Sequence, residues 1–192
     1  MDADPVEIRV LGCLIEKQRT TPDAYPLSLN ALRLACNQTT SRDPIVDYDE
    51  QQIREALERL SRRRWVRLAS GAGSRAIKYR HLLDEELGLT PAQLAVLCVL
   101  MLRGQQTTGE LKARTERLHA FASLDDVMRT LDGLIERELV GEAPRSRYRQ
   151  LLGEEGAAAP AAPAAASAEL EQRVAALEAE VGRLRDELDA LR

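Results

Sequence analysis

Between Glu7 and Arg19 the apolar positions Ile8, Leu11, Leu14 and Ile15, with Val10 beside them, mark one face of a helix, and Thr21 and Pro22 end it. Ser28 is placed to cap a second helix through Leu29, Leu32 and Leu34 to Cys36. The polar stretch from Asn37 to Asp47 contains Pro44 and reads as a loop. Asp49 then opens a third helix with Ile53, Ala56, Leu57 and Leu60 inward. It ends at Arg62, Arg63 and Arg64, where positive charge suits the helix C-terminus. Trp65 to Leu68 and Ala76 to His81 flank a Gly71 to Gly73 turn and predict a β-hairpin.

The same order then returns. Thr90 and Pro91 start a helix through Leu94, Leu97, Val99, Leu100 and Met101, and Gly109 to Arg117 supplies a short second one. Ser123 starts a third with Val127, Leu131 and Leu134 inward, and Leu139 to Glu142 with Arg147 to Leu151 predicts a shorter hairpin. Ile53, Leu57, Leu60 and Val66 lie 74 positions before Val127, Leu131, Leu134 and Val140, whereas Leu11 and Leu14 lie 86 before Leu97 and Leu100. The first copy therefore holds 12 more residues between its first and third helices, around Pro22 to Leu27 and Asn37 to Tyr48. This places an unusual loop beside its expected DNA face.

Three helices closed by a hairpin describe a winged helix, in which the third helix faces DNA and the hairpin forms the wing. The expected fold class is mainly α with small β wings (α+β). Two tandem winged-helix domains occupy residues 1–82 and 83–152, followed by an Ala/Pro-rich linker at 153–168 and a coiled-coil helix at 169–192. The linker has too little large apolar surface to offset chain entropy. In the last segment Leu170, Val174, Leu177, Val181, Leu184, Leu188 and Leu191 alternate spacings of four and three, a heptad seam with Val at two a sites and Leu at d. In a parallel pair, Arg173 would meet Glu178, Glu180 would meet Arg185, and Glu187 would meet Arg192. All three contacts join opposite charges, which predicts a homodimer; the alternative is a lone amphipathic helix folded back on its own chain.

Composition narrows the function classes. Aromatics are only 3% against 44% hydrophobic residues, so the cores are aliphatic. The longest apolar run, Leu94 to Leu102, is far short of the roughly 20 residues that span a bilayer. No basic signal region opens the chain, so a cytoplasmic protein without membrane association is expected. Cys13, Cys36 and Cys98 are odd in number and lie among apolar helical neighbours, as reduced core thiols would. The net charge of −4 hides an imbalance: Lys and Arg exceed Asp and Glu by 14 to 11 in residues 1–82, and fall short by 9 to 11 in 83–152 and 4 to 9 in 153–192.

Catalytic groups are sparse. His81 and His119 stand without ligand or triad spacing, and Gly71 and Gly73 lack the Lys and helix of a phosphate loop. No enzyme, cofactor or metal site is expected. Basic charge on the hairpins is the remaining asset: Arg62, Arg63, Arg64, Arg67, Arg75, Lys78 and Arg80 fall in 19 residues without an acid, with Arg145, Arg147 and Arg149 on the second hairpin. Candidate contacts to double-stranded DNA are Gln51, Gln52, Arg54, Arg62, Arg64, Arg67, Arg75, Lys78, Arg145 and Arg147. Acids at the fronts of the third helices, Asp47, Asp49 and Glu50 in one copy and Asp125 and Asp126 in the other, oppose this. They suit an adaptor that holds a protein partner through those fronts and the ACNQTTSRDP loop.

The run LGCLIEKQRTTPDAYPLSLNALRLACNQTTSRDP from Leu11 to Pro44, with LRGQQTTGELKAR from Leu102 to Arg114, resembles the YceH family of bacterial proteins. The likeness covers about residues 4 to 152, with the linker and heptads outside its best part. It implies a tandem winged-helix fold and assigns no residue a role.

The heptad reading has a direct measure. Light scattering should give the full chain twice the mass of one protomer and a chain ending at Gly153 the mass of one. Equal monomeric masses would remove the paired tail.

Overall fold

Six side-chain caps set out the architecture of the computed structural model, which describes residues 2–69 and 77–153. Asp4 caps α1 (Pro5–Thr20), Ser28 caps α2 (Leu29–Cys36) and Asp49 caps α3 (Glu50–Arg62). In the second half Thr90 caps α5 (Pro91–Arg103), Thr107 caps α6 (Thr108–Thr115) and Ser123 caps α7 (Leu124–Ile135). Each cap oxygen accepts a hydrogen bond from the third backbone N–H of its helix, a donor that would otherwise be unpaired. Between the halves lies the short α4 (Leu83–Leu87), which stops at Gly88 in the left-handed conformation. Sequence periodicity did not predict α4, because five residues are too few to display a helical stripe.

The caps also locate the extra residues of the first half. Asp4 and Ser28 are 24 positions apart, their counterparts Thr90 and Thr107 only 17; Ser28 and Asp49 are 21 apart, Thr107 and Ser123 only 16. Seven of the twelve therefore precede α2 and five precede α3. The seven include a 3-10 turn at Pro22–Ala24.

Each half closes with a small antiparallel sheet, and the fold is α+β. The first holds β1 (Leu27–Ser28), β2 (Val66–Leu68) and β3 (Lys78–His81) in the order β1-β3-β2. The second holds β4 (Gln106–Thr107), β5 (Val140–Ala143) and β6 (Arg147–Gln150) in the order β4-β6-β5. The two hairpins were expected; the third strand of each sheet was not, since two residues just ahead of a helix carry no alternating pattern. Registers match between halves, with Leu27 opposite Tyr79 and Gln106 opposite Tyr148. The exits of the third helices match as well. Arg64 and Glu138 both adopt positive φ, and the next residues, Trp65 and Leu139, return N–H bonds to Leu60 and Leu134.

The halves share their core. One cluster of buried apolar side chains runs from Ala3 to Leu152, and the packing of α1 on α5 is the most extensive between any two described elements. Every residue of α5 from Leu94 to Leu102 is buried, as is every residue of α1 from Glu7 to Ile15. A helix covered on all sides lies at the centre of a body. The Cys98 thiol donates to the Gly12 carbonyl at 3.4 Å across this contact. Cys13, Cys36 and Cys98 are all buried and unpaired by disulfides.

Gly12 sets the approach of the two helices. A Cβ added there would stand 2.9 Å from Leu102 Cδ2 and 3.1 Å from Met101 Cβ, and the second of these atoms is fixed to the backbone. Replacing Gly12 by Val overpacks the contact and is expected to lower unfolding stability by about 1–3 kcal/mol. A denaturant titration of Gly12→Val with an unchanged midpoint would contradict the close approach.

Candidate nucleic-acid interface

The inward stripe of α3, Ile53, Ala56, Leu57 and Leu60, is fully covered, which turns Glu50, Gln51, Arg54, Glu55, Glu58 and Arg62 to solvent. Three acids and two arginines share that exposed face. Arg54 is held by Glu50 at 2.7 Å, and the Gln51 amide donates to Glu55 at 2.7 Å. Gln52 closes the capping box, its oxygen accepting from the Asp49 N–H at 2.9 Å. At the far end Arg59 and Arg63 turn back toward the buried carboxylate of Glu7, with Nε to oxygen distances of 3.4 and 3.5 Å. Arg63 also lies 5.6 Å over the Trp65 ring.

Several hairpin cations are similarly engaged. Arg64 pairs with Glu86 at 2.6 Å, Arg80 with Glu85 at 2.6 Å, and Arg147 with Glu110 at 2.9 Å. Arg147 further donates to the Gln105 carbonyl and so joins β6 to the segment before β4. By contrast, Arg62, Arg67, Lys78, Arg145 and Arg149 have no ion pair or side-chain hydrogen bond among the described residues. Arg67 stands directly opposite Arg80 in the β2–β3 register. Like charges facing each other across a strand pair repel, and Glu85 relieves only one of them. Arg75 and the heptad residues Leu170, Val174, Leu177, Val181, Leu184, Leu188 and Leu191 lie outside the described residues.

The loop between α2 and α3, which carries five of the extra residues, leads directly into α3. It is fastened to α1 and α5. The Arg42 guanidinium is buried, makes a two-pronged contact with Glu16 at 3.0 and 2.6 Å, and donates to the Ala35 carbonyl. That carboxylate and those bonds keep it charged, with its pKa above the ordinary arginine value despite burial. Asn37 brackets Tyr48, its oxygen accepting from the Tyr48 N–H at 2.9 Å and its amide donating to the Tyr48 carbonyl at 2.8 Å. The Asp43 N–H reaches the Leu102 carbonyl at the end of α5 at 2.9 Å. The exposed residues of the ACNQTTSRDP loop are Thr39, Thr40, Ser41 and Asp43.

α7 presents a different surface from α3. Leu124 and Met128, one turn apart, are each about half exposed, at 48% and 49%. Asp125 and Asp132 flank them, and Arg129 is bound to Asp126.

His81 closes β3 and is sealed from solvent. Its Nε2 lies 2.7 Å from Gln18 Oε1 and its Nδ1 3.4 Å from Asp84. Burial, assisted by Arg80 and Arg19, outweighs the opposing pull of Asp84 and Glu85 and drives its pKa down to about 4. No substrate can reach such a ring. No group of three or more His, Cys, Asp or Glu side chains is placed to hold a metal among the described residues. Nor is any described helix long and apolar enough to cross a membrane.

These features define a two-repeat α+β protein whose small antiparallel sheets are compatible with wings, with cations divided between internal pairs and a free set on the strands and their flanks. Residues 3–148 match the family described as "Protein of unknown function, DUF480", and the chain belongs to it. A UPF0502 protein of Shewanella sp. strain ANA-3 is 43% identical over 208 aligned positions, covering 96% of this chain and 95% of the relative. One from Citrifermentans bemidjiense is 49% identical, covering 79% and 74%, and one from Opitutus terrae 46% identical, covering 90% and 81%. The YceH family indicated by the sequence motifs is this same family. The Shewanella alignment leaves out only 4% of the chain, so it also takes in most of the segment beyond Gly153.

His81 makes stability depend on pH. Between its ordinary value of 6.5 and about 4, the unfolded chain binds a proton at His81 that the folded chain refuses. Stability is therefore lost as pH falls through that window and the loss levels off beneath it, amounting to roughly 3 kcal/mol at most. Urea titrations at pH 7 and 4.5 should show a smaller loss for His81→Gln than for the wild type. Equal losses would mean that His81 is protonated in the fold.

Proposed function

We propose that the protein is a non-enzymatic, cytoplasmic, double-stranded DNA-binding protein of regulatory type, built from two tandem winged-helix domains and paired through its C-terminal heptads. The observation that carries this reading is the unpartnered Arg67 held opposite Arg80 on the first sheet. A repulsive pair on an exposed strand is relieved by a bound polyanion, and phosphate contacts of this kind supply most sequence-independent affinity for DNA. Arg62 and Lys78 add two further unengaged cations in the same half, and Arg145 and Arg149 two in the other. Base reading by Gln51, Gln52 and Arg54 has less support, because all three side chains already have partners. The wing therefore carries the DNA contact in this reading, and α3 contributes through its end at Arg62.

A specific feature favours a second role for the other half. Leu124 and Met128 form an exposed apolar step on α7, at the place where a third helix would meet DNA, with acids on both sides. Apolar and acidic groups suit a protein partner better than a phosphate backbone. In this alternative the chain is an adaptor, and α7 is its contact surface.

Binding of the full chain to a fluorescent duplex, titrated from 50 to 200 mM salt, separates the readings. Replacing Arg62, Arg67 and Lys78 together by Ala should lower the magnitude of the log–log salt slope by about 2–3, close to one per lost phosphate contact. An unchanged slope, or an absence of binding at low salt, would overturn the DNA reading.

A further inference from the structure

We propose that the junction between the two halves binds a small organic anion with a carboxylate or phosphate at one end and an apolar body. A cavity of about 400 Å³ opens there. Its size falls within the roughly 300–1,000 Å³ of small-molecule sites. Both halves build it: α1 gives Ile8 and Arg9, the inserted loop gives Pro44 and Tyr48, and the second half gives Met101, Arg103 and Arg147.

The charges lining this cavity are not balanced. Arg9 is 4% exposed, yet its terminal nitrogens meet only carbonyl oxygens, that of Cys36 at 3.3 Å and that of Pro44 at 2.6 Å. No carboxylate lies within ion-pair distance of it among the described residues. Burying a cation without a counter-charge is costly, and a bound anion would supply one. Arg103 is partly buried at the end of α5, and its guanidinium has neither hydrogen bond nor ion pair among the described residues. The cations of Arg114 and Arg42 act on it more strongly than the carboxylates of Glu16 and Asp43. Arg147 is the third cation, partly neutralised by Glu110. Against these three the cavity wall has one acid among the described residues, the exposed Asp43.

The remaining lining suits the rest of such a molecule. Tyr48 is half-buried, and its hydroxyl has no hydrogen-bond partner among the described residues, leaving a donor beside the arginines. Burial raises its pKa, so it keeps its proton at neutral pH. Ile8 and Met101 provide apolar wall on opposite sides of the junction. Arg9 and Arg103 are the groups that bind the anionic end, and the guanidinium fork matches a carboxylate or phosphate with two parallel bonds. The five extra residues between α2 and α3 thus have a consequence in the second half, because the loop they lengthen forms one side of the cavity. Ligand bound there touches both halves and stabilises their junction.

The test uses the full chain with three probes of similar size at constant ionic strength: phenyl phosphate, benzoate and the uncharged benzyl alcohol. At least one anionic probe is expected to give a saturable rise in Tm that benzyl alcohol does not. Arg103→Ala removes a side chain that makes no bond, so it should leave the Tm of the free protein unlowered while weakening that binding at least tenfold. Arg103→Lys should restore part of it. Lack of a response to both anions, an equal response to benzyl alcohol, or unchanged affinity in Arg103→Ala would each overturn the proposal. A last arm adds saturating duplex DNA: undiminished phenyl phosphate or benzoate binding supports a free small molecule, whereas displacement would assign the cations to backbone phosphate instead.

Discussion

The contact between α1 and α5 governs this molecule. Both helices are apolar around most of their circumference, and each is the first helix of its half, so burying one against the other joins two repeats into a shared core. Gly12 makes the approach close enough for a thiol on one helix to reach a main-chain carbonyl on the other. The remaining elements take their positions from that pair. α3 packs on α1 and α7 on α5, and each third helix leads through a positive-φ residue into its own sheet.

The repeat is broken by its loops, and the asymmetry is purposeful in physical terms. Extra chain before α3 would add only entropy if it hung free in solvent. Instead Arg42 and Asn37 fix it from inside, and the Asp43 N–H pairs with a carbonyl at the end of α5. Arg42 lies near Arg9, and only the former has a carboxylate. Two neighbouring arginines therefore differ in kind: one completes a buried ion pair, while the other retains an unbalanced charge next to open space.

The same distinction applies to the surface. A count of Lys and Arg along residues 62–80 suggests a uniformly basic edge, yet Arg63, Arg64 and Arg80 are held by acids that arrive from α1 or α4. What is left for an external anion is a smaller set centred on Arg67. The halves have also diverged where third helices would be expected to meet a partner. α3 is charged with both signs, whereas α7 carries an apolar step between acids. The two halves therefore present chemically different surfaces on their third helices.

The order of the principal helices, four of their six caps (Ser28, Asp49, Thr90 and Ser123) and both hairpins were legible in the chain. Those features depend on residues three or four apart, on strict alternation, or on a single polar side chain ahead of an apolar run, all local properties. The offsets of 74 and 86 even located the insertion. Short elements such as α4, β1 and β4 were not legible, because they exist only through partners distant in sequence; β1 and β4 are strands because β3 and β6 lie alongside. The pairing of each arginine was likewise decided in three dimensions. Arg42 finds Glu16 from 26 positions away, and Arg147 finds Glu110 from 37. The sequence by itself determined which residues carry charge and which helices form. Only tertiary packing decided which charges cancel, since Coulomb attraction depends on distance in space and on local water, neither of which is written along the chain.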